Sequence, residues 1–435
     1  MRFKYLYILL ALLVVACNPE IDREKLSNPE EINPGKISAE HYLAIGDEFT
    51  AGFHDNELFF SGQLNSYSSI LSRGLILFGG VPPRIAFMHD ELGFGKRLRL
   101  DYEIDCNGDR NLGLVPYGGN PSPENHGFFG DVRYKHFGVP GMCVANLDDS
   151  DYHDNNPYWK RLVGENFDGD VTEAIIRDKP SFFTLWLGMN DALDWAKQGG
   201  YNLQGSFPFP TPDVIFQRNY RRMLDSLKAC GASGVVANIP RFVDFPFFEL
   251  IPRNALVLTQ EQADQLNLIY TANPFVSFKR GPNYFVVRDG AQVRHITENE
   301  RILLSVDLDS VKCGGYGSVI PFDGPDVLLR DEISVIDQNI NSYNAIIDSL
   351  ASNRNFPVLD LNSWYKRIAD EGVVWNGVAT DFEFVTGGFF SLDGIYPTQR
   401  GAALISNAFS EKISQEFGTQ LPLTDPNDFR GVDLP

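Results

Sequence analysis

The sequence predicts an α/β domain of three layers, in which a mainly parallel sheet is covered by helices on both faces. Two observations predict it. Short, near-continuous apolar runs alternate with stretches of helical periodicity, and most of those runs end at a glycine or a polar loop. No internal repeat interrupts the order. His41 to Gly46 reads as a buried strand feeding a loop, and Tyr67 to Phe78 as a helix stopped by Gly79-Gly80. Val81 to Lys135 is loop-rich, punctuated by Gly, Pro and Asn. Val171 to Arg177 reads as helix, after which Pro180 opens the strand Ser181 to Leu187. Val214 to Cys230 is amphipathic and precedes a third strand, Gly234 to Ile239. Ile336 to Ala351 is a further helix, leading into a fourth strand at Phe356 to Leu361, and the last long helix covers Gln399 to Phe417. Sheets of this kind carry their ligand sites at the carboxyl ends of the strands.

Of the 435 residues, 43% are hydrophobic and 22% charged, enough for one large core with insertions. The formal net charge is −20, which argues against binding nucleic acid or anionic lipid, since both need basic patches. Arg2 and Lys4 precede an apolar run that ends at Cys17, too short to span a bilayer and laid out as a secretory signal. Val14-Val15-Ala16-Cys17 resembles a bacterial lipobox, which implies a signal over residues 1–16 and an acylated Cys17. Residues 17–40 then read as a flexible tether, with Glu20 and Asp22 similar to a surface-export signal. The expected location is the outer membrane, lipid-anchored at the cell surface, with the periplasmic face as the alternative. Cys106, Cys143, Cys230 and Cys313 fit no zinc spacing; they allow one or two bridges or buried thiols.

Four short motifs lie where strands end or loops enter helices. Ala44-Ile-Gly-Asp-Glu-Phe-Thr-Ala-Gly52, Phe137-Gly-Val-Pro-Gly-Met142, Leu187-Gly-Met-Asn-Asp191 and Leu392-Asp-Gly-Ile-Tyr-Pro-Thr398 resemble, in order, the four blocks of SGNH (GDSL-type) hydrolases. Asn238 to Phe248, Asp381 to Phe390 and Asp425 to Gly431 are similar to a lipoprotein branch of that family. The resemblance implies a flavodoxin-like fold over residues 41–418, with insertions about 79–135 and 241–381 and a tail at 419–435. It also implies a serine nucleophile and a histidine base, held by aspartate, beside an oxyanion hole of backbone N–H and asparagine amide, with no cofactor or metal. This chain departs from it at both reacting positions. Glu48 stands for the serine and Tyr396 for the histidine, while Gly138, Asn190 and Asp393 remain as the oxyanion-hole glycine, the asparagine and the aspartate. Loss of nucleophile or base alone costs on the order of 10⁶ in turnover. The expectation is a pseudoenzyme in which Glu48 fills the oxyanion hole, hydrogen-bonded to Asn190 and Tyr396.

An inactive body on a lipid anchor implies a scaffold or binding subunit, with an outer-membrane β-barrel or other envelope protein as partner. The alternative is an esterase or lipase on acyl or acetyl esters with rearranged groups, for which His54 and His136 are the imidazoles to watch. A lectin-like module binding in the old cleft is a third reading. Thr50 lies two residues past the nucleophile position and is a poor substitute; Asp393, without its histidine, reads as a turn residue. Asp105 to Asn111 is faintly similar to a calcium loop but reads as an Asx-rich turn, and phenylalanine pairs such as Phe59-Phe60, Phe128-Phe129 and Phe389-Phe390 read mostly as core.

Overall fold

The computed structural model describes residues 35–82, 84–127, 134–164, 167–201 and 210–435. The signal, Cys17 and most of the tether, like Phe128-Phe129, lie outside the described residues. The central sheet has five strands: β1 (Tyr42–Gly46), β2 (His136–Gly138), β3 (Phe182–Trp186), β4 (Ser233–Ala237) and β5 (Val358–Leu359). All its pairings are parallel and the order is β2-β1-β3-β4-β5, the flavodoxin-like arrangement, whose switch point falls between β1 and β3. Burial on both faces explains the unalternating apolar runs: every residue of β1 and of β3 is buried.

The helices include α1 (Glu48–Ala51), α2 (Tyr67–Leu75), α3 (Val171–Ile176), α4 (Asn190–Ala196), α5 (Asp213–Ala229), α6 (Arg330–Ser352), α7 (Leu361–Glu371) and α8 (Gln399–Phe417); others, such as Pro157–Val163 and Gln260–Ile269, lie between them. Ser66 caps α2 by accepting from the Ser69 N–H, and Thr398 caps α8 by accepting from the Gly401 N–H. On α5 the buried stripe is Phe216, Tyr220, Met223, Leu224 and Leu227, the spacing of one helical face. It packs on α6, where the Phe216 and Tyr343 rings stack 4.1 Å apart. Each such side chain contributes about 1.5–3 kcal/mol on burial. Phe389 and Phe390 join Phe245, Phe382 and Tyr365 in one aromatic cluster of the main core, whereas Phe60 is exposed.

Three expectations about organisation are corrected. The tether does not extend to residue 40, because Lys36 N–H bonds to the Phe417 carbonyl while Ile37 and Ala39 are buried. The stretch 241–381 is not one insertion: it holds α6, β5 and α7 of the main domain, and the part with its own small core runs through Phe285, Val287, Ile302 and Phe322. The loop-rich stretch 79–135 contains an antiparallel ribbon, Leu98–Ile104 against Arg110–Pro116. Its turn is built on Asp105, whose carboxylate accepts from the Asn107 and Asp109 N–H groups and the Asn111 amide. Cys106, in that turn, is bridged to Cys313 in the second insertion, with Cα atoms 6.3 Å apart. Cys143 and Cys230 remain thiols, the former buried. Among the described residues no helix is long and apolar enough to cross a membrane.

Candidate functional site

The site forms at the switch point. The turn after β1 is tight because Gly46 faces the Trp186 carbonyl and Thr50, leaving no room for a Cβ. Asp47 then caps α1, accepting from the Phe49 N–H at 3.1 Å. This aims Glu48 inward. One carboxylate oxygen accepts from the Gly141 N–H at 2.9 Å and the other from the Asn190 amide at 2.6 Å. Glu48, Asn190 and Tyr396 are 6%, 0% and 3% exposed, so solvent barely reaches the carboxylate.

Electrostatics follow from that burial. Burial, and then the Asp194 carboxylate, raise the Glu48 pKa, opposed by Lys197 and by the Asn190 hydrogen bond. Asp47 is raised well above the usual carboxylate range by burial and by Glu48, and one of its oxygens has no hydrogen-bond partner among the described residues. Burial pulls Lys197 down, but Asp194 and Glu48 outweigh it and the ammonium is held more firmly than usual. Sequence reasoning did not single out Asp194 and Lys197, which form an ion pair at 3.4 Å; their spacing on α4 was the available signal.

The glycine assignment is corrected. Gly138 does not face Glu48. A Cβ there would fall 2.3 Å from the Ala51 backbone nitrogen, so its role is to let β2 lie against α1, and its N–H faces His136 Nδ1 at 3.5 Å. Gly141, three residues on in the same motif and at φ 80°, supplies the donor. Tyr396 also differs from expectation. Among the described residues the hydrogen bonds to the Glu48 carboxylate come from Gly141 and Asn190, while the Tyr396 ring packs edge-on against Phe49 and Phe53 at 5.0 and 5.1 Å. Asp393 builds the turn before α8, accepting from the N–H groups of Asn56, Ile395 and Tyr396 and from the Ser391 hydroxyl. Asp191 takes the Val144 and Ala145 N–H groups, and burial raises its pKa to about 7.

The two histidines are buried and locally engaged. His54 Nδ1 lies 3.2 Å from the Gly52 carbonyl, and its ring packs edge-on against Phe59. His136 Nε2 lies 2.6 Å from Ser68 Oγ, a hydroxyl–imidazole contact of the kind hydrolysis needs. The proton arrangement is wrong for it. Ser68 donates its hydrogen to the Thr50 carbonyl at 2.8 Å, so Nε2–H donates to the serine and Nδ1 is the acceptor facing Gly138. His136 is closed to solvent and His54, though mostly buried, lines the open cavity beside the last motif; burial lowers each imidazole pKa to about 4. Thr50 Oγ1 is buried against the Tyr67 hydroxyl at 3.0 Å. An open cavity of about 430 Å³ adjoins the last motif, lined in part by Asp55, Arg97, Tyr117 and Arg430, but Glu48 and Asn190 are not in its wall.

No protein-family model matches this chain, and no curated protein matches it. Solved structures match remotely. An alpha/beta hydrolase enzyme from the metagenome of Lake Arreo is 10% identical, with 88% of this chain and 97% of that one covered, at a TM-score of 0.38. A lipase/acylhydrolase from Enterococcus faecalis is 10% identical, covering 88% and 98% at 0.32, and a GDSL-like lipase described from Parabacteroides merdae is 10% identical, covering 89% and 98% at 0.35. The chain is thus an α/β protein of flavodoxin-like sheet order, similar in its motifs to SGNH hydrolases.

Proposed function

We propose that this chain is a catalytically silent relative of the SGNH hydrolases, anchored to the outer membrane through Cys17, whose body is a scaffold or binding subunit of an envelope assembly. One observation carries the loss of catalysis. The carboxylate of Glu48 already accepts the Gly141 and Asn190 donors that an acyl oxyanion would need, and it does so from the nucleophile's own position. A carboxylate accepts charge-assisted hydrogen bonds well, so the pair of donors is neutralised by the protein itself. Lipobox-like residues and two large insertions support the anchored scaffold.

Wild-type protein should neither hydrolyse p-nitrophenyl acetate above the buffer rate nor take up a fluorophosphonate probe. Probe labelling at any serine or threonine sinks the silent reading in favour of the esterase. For the anchor, Cys17→Ala should abolish incorporation of a metabolic fatty-acid label. Purification from detergent-solubilised envelope should bring down an outer-membrane β-barrel or another envelope protein; recovery of the chain alone counts against the scaffold role.

A further inference from the structure

At the opposite end of the sheet from Glu48, the strand entries enclose a second cleft of about 690 Å³. Its wall carries Arg84, Lys135, Arg177 and Lys179, together with His41 and Asp178. The sheet itself sets their spacing. His41 directly precedes β1, Lys135 directly precedes β2, and Lys179 lies just before β3, on three adjacent strands that run about 4.8 Å apart. The strand entries are pinned, with Ala44 N–H donating to the Lys135 carbonyl and Ser181 N–H to the His41 carbonyl. Lys135 Nζ is steadied by His41 Nδ1 at 2.8 Å and the Arg177 guanidinium lies 6.0 Å from the Phe167 ring centroid, while among the described residues no carboxylate pairs with Arg84, Arg177 or Lys179. Lys179 also sits at φ 46°, closing α3 through its N–H to the Ile176 carbonyl. Glycine takes that left-handed position at least cost, so Lys179 carries a conformational penalty of about 1 kcal/mol there.

We propose that this cleft binds a phosphate group, either carried by a lipid headgroup or free in solution. Two guanidinium forks and two ammonium groups around one cavity suit a tetrahedral anion, whose oxygens outnumber those of a carboxylate. The net charge of −20 does not forbid it, because charges beyond about 8 Å are largely screened at physiological ionic strength while these cations act at contact. The site is independent of the reading given to Glu48, since it lies at the other end of the strands.

Lysine acetylation of the full chain, read residue by residue by mass spectrometry, tests it with inorganic phosphate and with phosphatidylcholine vesicles made with or without phosphatidylglycerol. At saturation, labelling of Lys135 and Lys179 should slow about fivefold or more, while exposed Lys366 on α7 is unchanged. Protection by inorganic phosphate and not by vesicles assigns the site to free phosphate; protection by vesicles of either composition assigns it to a headgroup, whose phosphate phosphatidylcholine also carries; either supports the proposal. Equal labelling under all conditions overturns it. So does protection that persists in a folded Arg84→Gln/Arg177→Gln variant with unchanged melting temperature.

Discussion

The two ends of the central sheet treat charge in opposite ways. At the carboxyl end the carboxylate of Glu48 is buried and met by two donors fixed by backbone and helix, Gly141 and Asn190. At the amino end, Arg84, Arg177 and Lys179 are exposed, without carboxylate partners among the described residues. Burying a carboxylate costs stability that its donors only partly offset, whereas exposed cations at a rim contribute little either way.

The largest effect is expected at Asn190. Asn190→Asp would set a second carboxylate where the amide now donates at 2.6 Å, and it should cost about 3–5 kcal/mol at pH 8, read by urea denaturation. The loss should shrink in acid as one of the two carboxyls takes up a proton. An undiminished midpoint at pH 8 would mean that Glu48 is not held as described.

His136 comes next. Its folded pKa of about 4 lies below the ordinary 6.5, so the neutral imidazole contributes stability that is present above about pH 6.5 and lost as pH falls toward 4. The opposite shifts of Asp191, to about 7, and Asp55, to about 6, favour the folded state over the same range, so the overall profile is a sum. The difference between wild type and His136→Gln isolates the histidine. The advantage of wild type should fall by roughly 3 kcal/mol between pH 7 and pH 4. A constant difference across that range would show that His136 titrates normally.

The smallest effect belongs to the other end. Lys179→Gly relieves the left-handed backbone and should leave stability unchanged or raise it by up to about 1 kcal/mol, while weakening phosphate protection at Lys135. A substitution that stabilises and impairs binding at once is the signature of a residue kept for a ligand. A loss of stability would instead make Lys179 part of the framework.

Much of this was legible in the residues. The last helix, Gln399 to Phe417, matches residue for residue because Thr398 and Gly418 mark both its ends. β1, β3 and β4 were readable because burial on both faces makes them almost continuously apolar. The two-residue edge strand β5 was caught inside the run Phe356 to Leu361, whereas His136–Gly138, at the other edge, lies between Lys135 and Pro140-Gly141 with no apolar run around it. The ribbon at Leu98 was missed although Leu98, Leu100, Tyr102 and Ile104 alternate with polar residues, a signal hidden inside a stretch rich in Gly and Pro. At the site, the residue types were readable but the choice between Gly138 and Gly141 was not. Two glycines in one short motif differ only in where their N–H points, and backbone direction is not written in composition.

The bridge between Cys106 and Cys313 has a consequence of its own. It ties the ribbon of the first insertion to the second across 207 residues, so everything between them, including β2, β3, β4 and the helices α3 to α5, lies inside a covalent ring. A protease cut anywhere within that ring opens it without releasing a fragment. The nicked chain therefore runs as one species until reductant is added, and only then separates into two.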